Sequence, residues 1–315
     1  MDKIVLFVGA GYSKWACGLP LVSELFDFDI YVRNTKEEKR LARIKKLKDS
    51  WDERNFQVNP EVFIESLRGK PAYKILVWYI SRRLSDAFLA RSLNGVQTLQ
   101  IDQKAKWENK GILRSKEFLD GLLIKGLETV LTTNYDLLIE YSLGTNGFYY
   151  DQNIRALHGR GKNPSFPWHN PNPELTGPIK ILKLHGSLSW TAEGTRFTDS
   201  RCGLTGKGMI VAPIRNKQGV GFLQNIWDES KTELREADKI IFFGFAFNPI
   251  DENILSILRS QIRSTSEIFI VNKYFNEKYI ETIFPGNKIA FLYPPSPSED
   301  MDEYLSTLTT GKRAT

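Results

Sequence analysis

Short apolar runs recur along the chain, and glycine or a polar residue bounds each of them. Val, Ile, Leu and Phe occupy successive positions in these runs, which is typical of strands covered on both faces in a parallel sheet. The predicted strands are Ile4–Val8, Thr129–Thr132, Ile179–Leu184, Met209–Ala212, Lys239–Phe243, Glu267–Val271 and Ile289–Tyr293. Helical patterns lie between them, at Leu21–Val32, Leu137–Leu143, Phe222–Ala237, Ile250–Arg263 and Tyr274–Phe284. This alternation predicts an α/β fold with a doubly wound, mostly parallel, Rossmann-like sheet.

Between residues 33 and 125 the strand pattern stops and helical periodicity takes over. One apolar helix face is predicted from Leu41, Ile44, Leu47 and Trp51, and a second long helix from Ile75, Leu76, Tyr79, Ile80, Arg83 and Leu84. We interpret residues 33–125 as a helical module inserted into a core that comprises residues 1–32 plus 126–298. The proline-rich segment Pro294–Pro297 is a stiff linker into a C-terminal tail, residues 299–315, that begins with a short helix.

The face opposite the first apolar stripe is densely basic, with Lys39, Arg40, Arg43, Lys45 and Lys46. The whole chain has 43 Lys and Arg against 37 Asp and Glu, so its net charge is only +6. A surplus of this size favours contact with anions without predicting a nucleic-acid binder. A solvated surface and a docking face both remain open, and direct nucleic-acid binding is not expected.

The composition is that of an ordinary globular protein, with 41% hydrophobic and 25% charged residues in a chain of 315. No apolar run approaches the roughly 20 residues that cross a bilayer, because the longest, Ile240–Phe247, is interrupted by Gly244. The segment Ile4–Ala10 lacks the cleavage pattern of a signal peptide. We therefore expect a cytoplasmic protein with no membrane partner.

The first predicted strand runs directly into a glycine-rich turn, Gly9-Ala10-Gly11-Tyr12-Ser13. Glycines at this place let the backbone approach a pyrophosphate, with the N-terminus of the next helix aimed at its charge. The usual dinucleotide fingerprint has a third glycine where this chain has Lys14. A phosphate-binding loop and a plain glycine turn are therefore both open at this point.

Polar residues also follow four later strands, at the carboxyl ends where ligands bind in open α/β sheets. They are Thr132-Thr133-Asn134-Tyr135-Asp136, then His185-Gly186, then Gly244-Phe245 with Asn248, Pro249 and Asp251, and finally Asn272. Each has a structural alternative. Asn134 or Asp136 would cap the next helix, Pro249 would begin one, and Asn272 would begin a turn.

Taken in chain order, these motifs resemble the sirtuin family, and more closely its zinc-less bacterial relatives that hydrolyse NAD in antiphage defence. The matching positions are Gly9–Ser13 with Gly18-Leu19-Pro20, Thr132–Asp136, His185-Gly186, Gly244–Phe247 and Val271-Asn272. The order and the strand-end placement carry the resemblance, since each motif alone is short. It extends from the first predicted strand to the strand that ends at Val271.

The departures from the sirtuin pattern bear on the reaction. Sirtuin deacylases carry four zinc-binding cysteines after His-Gly, whereas this chain has only Cys202 between Ser187 and Asp238. Because the zinc module helps to frame the acyl-lysine channel, protein deacylation is disfavoured. Ala246 also stands where sirtuins commonly have Ser or Thr.

The resemblance implies that NAD is the substrate and that the nicotinamide–ribose bond is cleaved. It implies that Asn134 positions the ribose and the attacking water, that Asp136 holds the nicotinamide carboxamide, and that His185 accepts a proton. The implied cofactor contacts are Gly9, Ala10, Gly11, Ser13, Gly18, Pro20, Thr133, Gly244, Phe245 and Asn272. Among them, Gly9, Ala10 and Ser13 would cradle the pyrophosphate and Asn272 would bind the adenosine ribose. Hydrolysis and cyclisation both remain open.

Two other classes of function are kept as alternatives: a protein deacylase or ADP-ribosyltransferase, and a non-catalytic domain that senses NAD or ADP-ribose. A free NAD hydrolase would harm its own cell, so we expect control by a partner protein, a nucleotide messenger or assembly into a homo-oligomer or hetero-complex. The basic face Lys39–Lys48 is the expected docking surface. Activation would require the activator to bind the active arrangement more tightly than the resting one.

No metal is expected to take part. Cys17 and Cys202 stand 185 positions apart, and His158 and His169 lie in a proline-rich stretch without ligand spacing. We expect full activity in the presence of a chelator and no stoichiometric zinc by elemental analysis. One tightly bound zinc per chain would contradict this prediction.

Overall fold

The computed structural model describes residues 2–30, 32, 34–55, 60–92, 110–150, 175–191, 208–210 and 223–310. In chain order the strands are β1 (Ile4–Val8), β2 (Leu127–Thr132), β3 (Gly147–Tyr149), β4 (Ile179–Lys183), β5 (Gly186–Thr191), β6 (Gly208–Ile210), β7 (Lys239–Phe243), β8 (Glu267–Val271) and β9 (Lys288–Leu292). Seven of them form one sheet in the order β3-β4-β2-β1-β7-β8-β9, and every neighbouring pair in it is parallel. The predicted α/β class and parallel sheet are confirmed.

Helices flank the sheet. They are α1 (Ala10–Cys17), α2 (Thr35–Asn55), α3 (Pro60–Ser66), α4 (Pro71–Ser92), α5 (Lys110–Ile124), α6 (Leu138–Leu143), α7 (Gln224–Glu236), α8 (Glu252–Gln261), α9 (Glu277–Ile283) and α10 (Met301–Thr310). Single 3₁₀ turns occupy Val22–Asp27, Gly144–Asn146 and Pro249–Asp251. In the described part of the chain, no helix is both long and apolar enough to cross a membrane.

The strand β1 lies at the centre of the sheet, between β2 and β7, and all five of its side chains are buried. This burial on both faces explains why its sequence is apolar at successive positions. The strands β2, β4 and β3 extend the sheet from one edge of β1, and β7, β8 and β9 extend it from the other edge. The strand order therefore reverses between β1 and β7, and such a switch point opens a crevice outside the carboxyl ends of the strands.

Backbone packing at this switch point requires glycine at three positions. Gly244 has φ +66°, and a Cβ atom added to it would overlap the backbone nitrogen of Tyr12. A Cβ on Gly9 would lie 2.6 Å from the Gly244 carbonyl oxygen, and one on Gly11 would lie 2.7 Å from the Gly244 Cα atom. The turns after β1 and β7 thus touch backbone to backbone, and the Gly11 N–H donates to the Gly244 carbonyl at 2.9 Å.

One sequence prediction is wrong, and a second is right about a strand but wrong about the sheet that contains it. The helix predicted over Leu21–Val32 is only the 3₁₀ turn Val22–Asp27, and it ends where Phe28 takes a left-handed conformation with φ 58°. The strand predicted over Met209–Ala212 is the short β6, which pairs antiparallel with β5 outside the main sheet. Residues 211 and 212 lie outside the described residues.

Outside residues 33–125, three elements were not predicted at all: the helix α1 and the strands β3 and β5. The helix α1 contains Gly11, which has a poor helix propensity. The strand β3 is only three residues long and begins with Gly147, whereas β5 begins with Gly186, whose φ is +82°. Neither strand carries the long apolar run that predicted the central strands.

The two helices predicted from periodicity between residues 33 and 125 are confirmed as α2 and α4. The division into a core and an inserted module stays a prediction. The helix α5, which lies inside the predicted module, packs against elements outside it, namely α1, α6, β2 and α10. The short helix predicted after the proline-rich linker is α10, and residues 311–315 of the tail lie outside the described residues. Cys202, His158 and His169 also lie outside them, as does most of the stretch around both histidines.

We expect Gly244→Ala to destabilise the protein far more than Gly286→Ala. Both glycines have positive φ, so each alanine costs about 1–2 kcal/mol of backbone strain. Only at Gly244 would the added Cβ also collide with backbone, which adds about 1–3 kcal/mol, whereas Gly286 faces open space. Urea unfolding of the two variants measures the difference, and equal losses would contradict the packing described above.

Candidate active site

A cleft of about 480 Å³ lies at the carboxyl ends of β1, β2, β4, β7 and β8. Its volume falls within the range of small-molecule binding sites. Its lining includes almost all of the predicted site residues, namely Gly9, Ala10, Gly11, Ser13, Pro20, Thr133, Asn134, Asp136, His185, Gly244, Phe245 and Asn272. The sheet topology therefore brings together motifs that are up to 263 positions apart in the chain.

Gly18 is the exception among the predicted residues. It follows the last residue of α1 in a left-handed conformation with φ 66°, and its N–H donates to the Lys14 carbonyl at 2.8 Å. This is the usual place of glycine at a helix C-terminus. The structure thus gives Gly18 a capping role, and it is not among the residues that line the cleft.

The side chain of Asn134 is held by two hydrogen bonds. Its Nδ2 atom donates to the Gly9 carbonyl and to Ser13 Oγ, both at 2.9 Å. The Ser13 hydroxyl donates in turn to Asp136 Oδ2 at 2.8 Å, so Ser13 Oγ must accept from Asn134. This chain of donors fixes which way the amide points. Among the described residues, nothing donates to Asn134 Oδ1, and this carbonyl oxygen is left to the cleft.

Asp136 is 7% exposed and has a structural partner on each oxygen. Its Oδ2 accepts from Ser13, and its Oδ1 accepts from the Leu138 N–H at 3.0 Å. The second bond reaches the first residue of α6, although the N-cap residue of this helix is Leu137 rather than Asp136. Burial raises the pKa of the Asp136 carboxyl above its ordinary value, although Lys183 and the two hydrogen bonds oppose this shift. A carboxylate accepts about four hydrogen bonds, so the group also retains acceptor capacity toward the cleft.

A buried ion pair lies directly behind Asp136. Lys183, the last residue of β4, contacts Glu140 of α6 with its Nζ atom 2.8 Å from Oε1. The same ammonium donates to the Asp136 carbonyl at 2.5 Å, and the Tyr149 hydroxyl donates to Glu140 Oε1 at 2.6 Å. Both charged side chains are fully buried. The pair was not predicted, because charged residues next to apolar strands are normally read as exposed.

His185 follows β4 by two residues and is 3% exposed. Its ring has two aromatic neighbours, with its centroid 6.2 Å from that of Tyr135 and 6.5 Å from that of Trp227. These neighbours restrict the orientation of the imidazole while one side of it lines the cleft. The arrangement places an ionisable ring in the same cleft as Asn134 and Asp136.

The cleft wall also has an acidic part, in which sequence reasoning missed Glu61 and named Asp251 only among the polar residues that follow β7. Glu61 of α3 and Asp251 of the turn after β7 both line the cleft, and Asn248 Nδ2 donates to Glu61 Oε2 at 3.1 Å. Burial raises the pKa of the Tyr135 hydroxyl, which also lines the cleft, well above its ordinary value, with smaller contributions from Tyr73, Asp251 and Glu61. Nothing in the local sequence around Glu61 indicated that α3 would reach the cleft.

Two further features suit a phosphate-bearing nucleotide. The first helical turn of α1 lines the cleft, and its N-cap residue, Gly9, has no side chain to cap it. The Gly11 and Tyr12 N–H groups donate to the Gly244 and Gly9 carbonyls, so among the described residues the Ala10 N–H is the one at this terminus that remains for a ligand. Such a helix N-terminus attracts anions. Asn272 holds its own loop, because Nδ2 donates to the Phe245 carbonyl at 3.1 Å and Oδ1 accepts from the Lys273 N–H at 2.8 Å. One N–H and one lone pair of this amide remain available to a ligand.

One protein-family profile and one solved structure are similar to this chain. The profile of a protein family described as "SIR2-like domain" matches residues 128–289, which is just over half of the chain. No curated protein matches the chain. A solved structure described as "The Structural basis of Sirtuin Substrate Affinity" aligns with 98% of this chain and 93% of its own, at 15% identity and a TM-score of 0.42.

The raised pKa of Asp136 leads to a pH prediction. In the unfolded chain its carboxyl loses the proton near pH 4, and in the folded protein it does so at a higher pH. Between these values the folded state binds more protons, so the wild-type free energy of unfolding falls as the pH rises. The amide introduced by Asp136→Asn does not titrate, so the unfolding free energy of the variant minus that of the wild type should increase above pH 4 and then level off.

Urea unfolding of both proteins at a series of pH values measures this difference, and the other titrating groups largely cancel in it. A difference that stays constant or decreases as the pH rises would show that the Asp136 carboxyl titrates at or below its ordinary value.

Proposed function

We propose that this chain, which belongs to the SIR2-like domain family, is an NAD glycohydrolase that cleaves the nicotinamide–ribose bond. The family consists generally of NAD-dependent enzymes. Water is the proposed acceptor, so the products are nicotinamide, ADP-ribose and one proton. The observation that carries the proposal is the fixed amide of Asn134, whose carbonyl oxygen is free toward the cleft.

Departure of neutral nicotinamide leaves positive charge on the ribose, and a fixed dipole with its negative end toward that charge stabilises the transition state. Asn134 supplies such a dipole, since both N–H bonds of its amide point away, toward Gly9 and Ser13. The same oxygen accepts a hydrogen bond from a ribose hydroxyl or from the attacking water. Because the amide is already oriented, no reorganisation is needed during the reaction.

The two other proposed catalytic residues have distinct roles. Asp136 accepts a hydrogen bond from the nicotinamide carboxamide through the acceptor capacity that Ser13 and Leu138 leave unused. His185 accepts the proton that the attacking water loses, so that the C1′–N bond breaks, the C1′–O bond forms and the proton leaves on the imidazole. The uncapped N-terminus of α1 receives the pyrophosphate, and Asn272 receives the adenosine ribose.

We also propose that this activity is gated and serves bacterial antiphage immunity by depleting NAD. The support is the resemblance to the zinc-less branch and the toxicity of unregulated NAD hydrolysis to the host cell. A partner protein, a nucleotide messenger or self-assembly would then supply the signal. The NAD assay is therefore run over a range of protein concentrations and with candidate co-encoded partners.

The test is nicotinamide release from NAD, followed by chromatography that separates ADP-ribose from its cyclic form. We expect His185→Ala to lower the rate by about 10²–10⁴-fold, the typical value of a positioned general base. Asn134→Asp keeps the shape but cannot donate to Gly9 and Ser13, so its rate should fall to a similar extent. Lys278→Glu, at an exposed position of α9 that does not line the cleft, is the control and should cleave NAD at the wild-type rate.

Circular dichroism and thermal unfolding show whether each variant remains folded. Wild-type rates in both cleft variants would refute the assigned roles. If NAD binds but no nicotinamide appears under any condition, the chain is a sensor of NAD. Release that requires an acetylated peptide would instead make it a deacylase.

A further inference from the structure

A second pocket lies apart from the cleft, between α2 and α4. It has a volume of about 450 Å³ and is lined by Thr35, Lys36, Lys39, Arg40, Arg43 and Ile75. None of these residues lines the cleft described above. Four of the six are cations, so the pocket is strongly basic. We call it the α2 pocket.

The four cations have no carboxylate partners. In the part of the chain that the structure describes, the side chains of Lys36, Lys39, Arg40 and Arg43 form neither an ion pair nor a hydrogen bond. Lys48, farther along the same helix, bonds to Asp52 in the ordinary i,i+4 way. Like charges three and four positions apart destabilise a helix, so this cluster opposes the stability of α2. A bound anion would remove that repulsion.

Arg40 carries the clearest sign of a ligand. Its guanidinium carbon lies 5.6 Å from the ring centroid of Trp78, a fully buried residue of α4. The Nη1 atom of Arg40 is buried and has no hydrogen-bond partner in the described structure. Withdrawing a charged donor from water without supplying an acceptor is costly. The Trp78 ring restricts the position of the guanidinium, and the Nη1 donor is left to bind an acceptor that the chain itself does not supply.

We propose that the α2 pocket binds a soluble small molecule with at least two phosphate groups. Guanidinium and ammonium groups together suit phosphate oxygens, and Arg adds a planar, two-donor geometry. The volume accommodates more than one phosphate, and Ile75 offers an apolar wall to the rest of the molecule. A nucleic acid is less suited, because the exposed Lys45 and Lys46 do not extend the lining of the pocket along the helix.

The helix α4 contributes residues both to this pocket and to the cleft. Trp78 beneath Arg40 is followed in α4 by Tyr79, whose hydroxyl donates to the Leu25 carbonyl and accepts from the Phe28 N–H at 3.2 Å. Leu25 and Leu84, the latter also on α4, line the cleft. A ligand that shifts α4 would therefore alter the cleft wall. The binding proposal itself does not depend on NAD cleavage.

Isothermal titration of the full chain with inorganic pyrophosphate tests the proposal. We expect binding to the wild type and at least a tenfold loss of affinity in the double variant Lys36→Glu/Lys39→Glu, both of whose side chains are exposed. The matched control is Lys45→Glu/Lys46→Glu, which makes the same charge change on exposed positions of the same helix and should bind within about twofold of the wild type. Arg40→Gln should also lose affinity, because it removes the fixed guanidinium.

Three results would overturn the proposal. Pyrophosphate binding that the pocket variants leave unchanged would place the anion elsewhere, including in the cleft. Equal losses in the pocket and control variants would show a delocalised charge effect. A single-stranded oligonucleotide that binds more tightly than pyrophosphate and depends on both lysine pairs would identify a nucleic-acid surface instead. The two proposals can be tested independently. If the wild type does not bind pyrophosphate but releases nicotinamide from NAD, the α2 pocket proposal is refuted and the proposed function is not.

Discussion

The turns after β1 and β7 contact each other backbone to backbone, through Gly9 and Gly11 on one side and Gly244 on the other. This contact determines where a ligand can bind. No Cβ atom fits between these turns, so the two central strands can end side by side. Beyond that point the chain leaves β1 and β7 in different directions, and the crevice opens between the two turns. The Gly9 carbonyl then becomes an acceptor for Asn134, which belongs to the neighbouring strand end. The orientation of the proposed catalytic amide is thus a direct consequence of backbone packing at the switch point.

Behind this amide, the protein buries three ionisable groups at the ends of β2 and β4: Asp136, Glu140 and Lys183. An ion pair of this kind gains little net stability, because the cost of removing both charges from water offsets most of their attraction. Its geometric effect is larger. The Lys183 ammonium joins α6, the Asp136 carbonyl and the end of β4, two residues before His185. We infer that the pair serves to hold the polar strand ends in a single arrangement rather than to stabilise the fold as a whole.

The sequence allowed the sheet class and about half of the cleft lining to be predicted, because apolar runs mark buried strands and ligand sites follow their carboxyl ends. It did not reveal α1, whose Gly11 serves loop packing at the expense of helix propensity, or β3 and β5, which begin with glycine and carry no long apolar run. Glu61 and the α2 pocket were also beyond reach. Both depend on how the helices between residues 33 and 125 fold back onto the core, and periodicity alone does not give that information.

The parallel pairing of β1 with β7 also constrains synthesis of the protein. Ile4 pairs with Lys239, and Gly9 meets Gly244, so the two halves of the switch point are separated by 235 residues of chain. During translation β1 can pair with β2 as soon as β2 has been made, but its other edge stays open until β7 leaves the ribosome. Contacts this distant in sequence form slowly. A nascent chain therefore has no complete cleft until Asn272 and Tyr274, which follow β8, have been synthesised, and the open edge of β1 must be shielded from aggregation until β7 pairs with it.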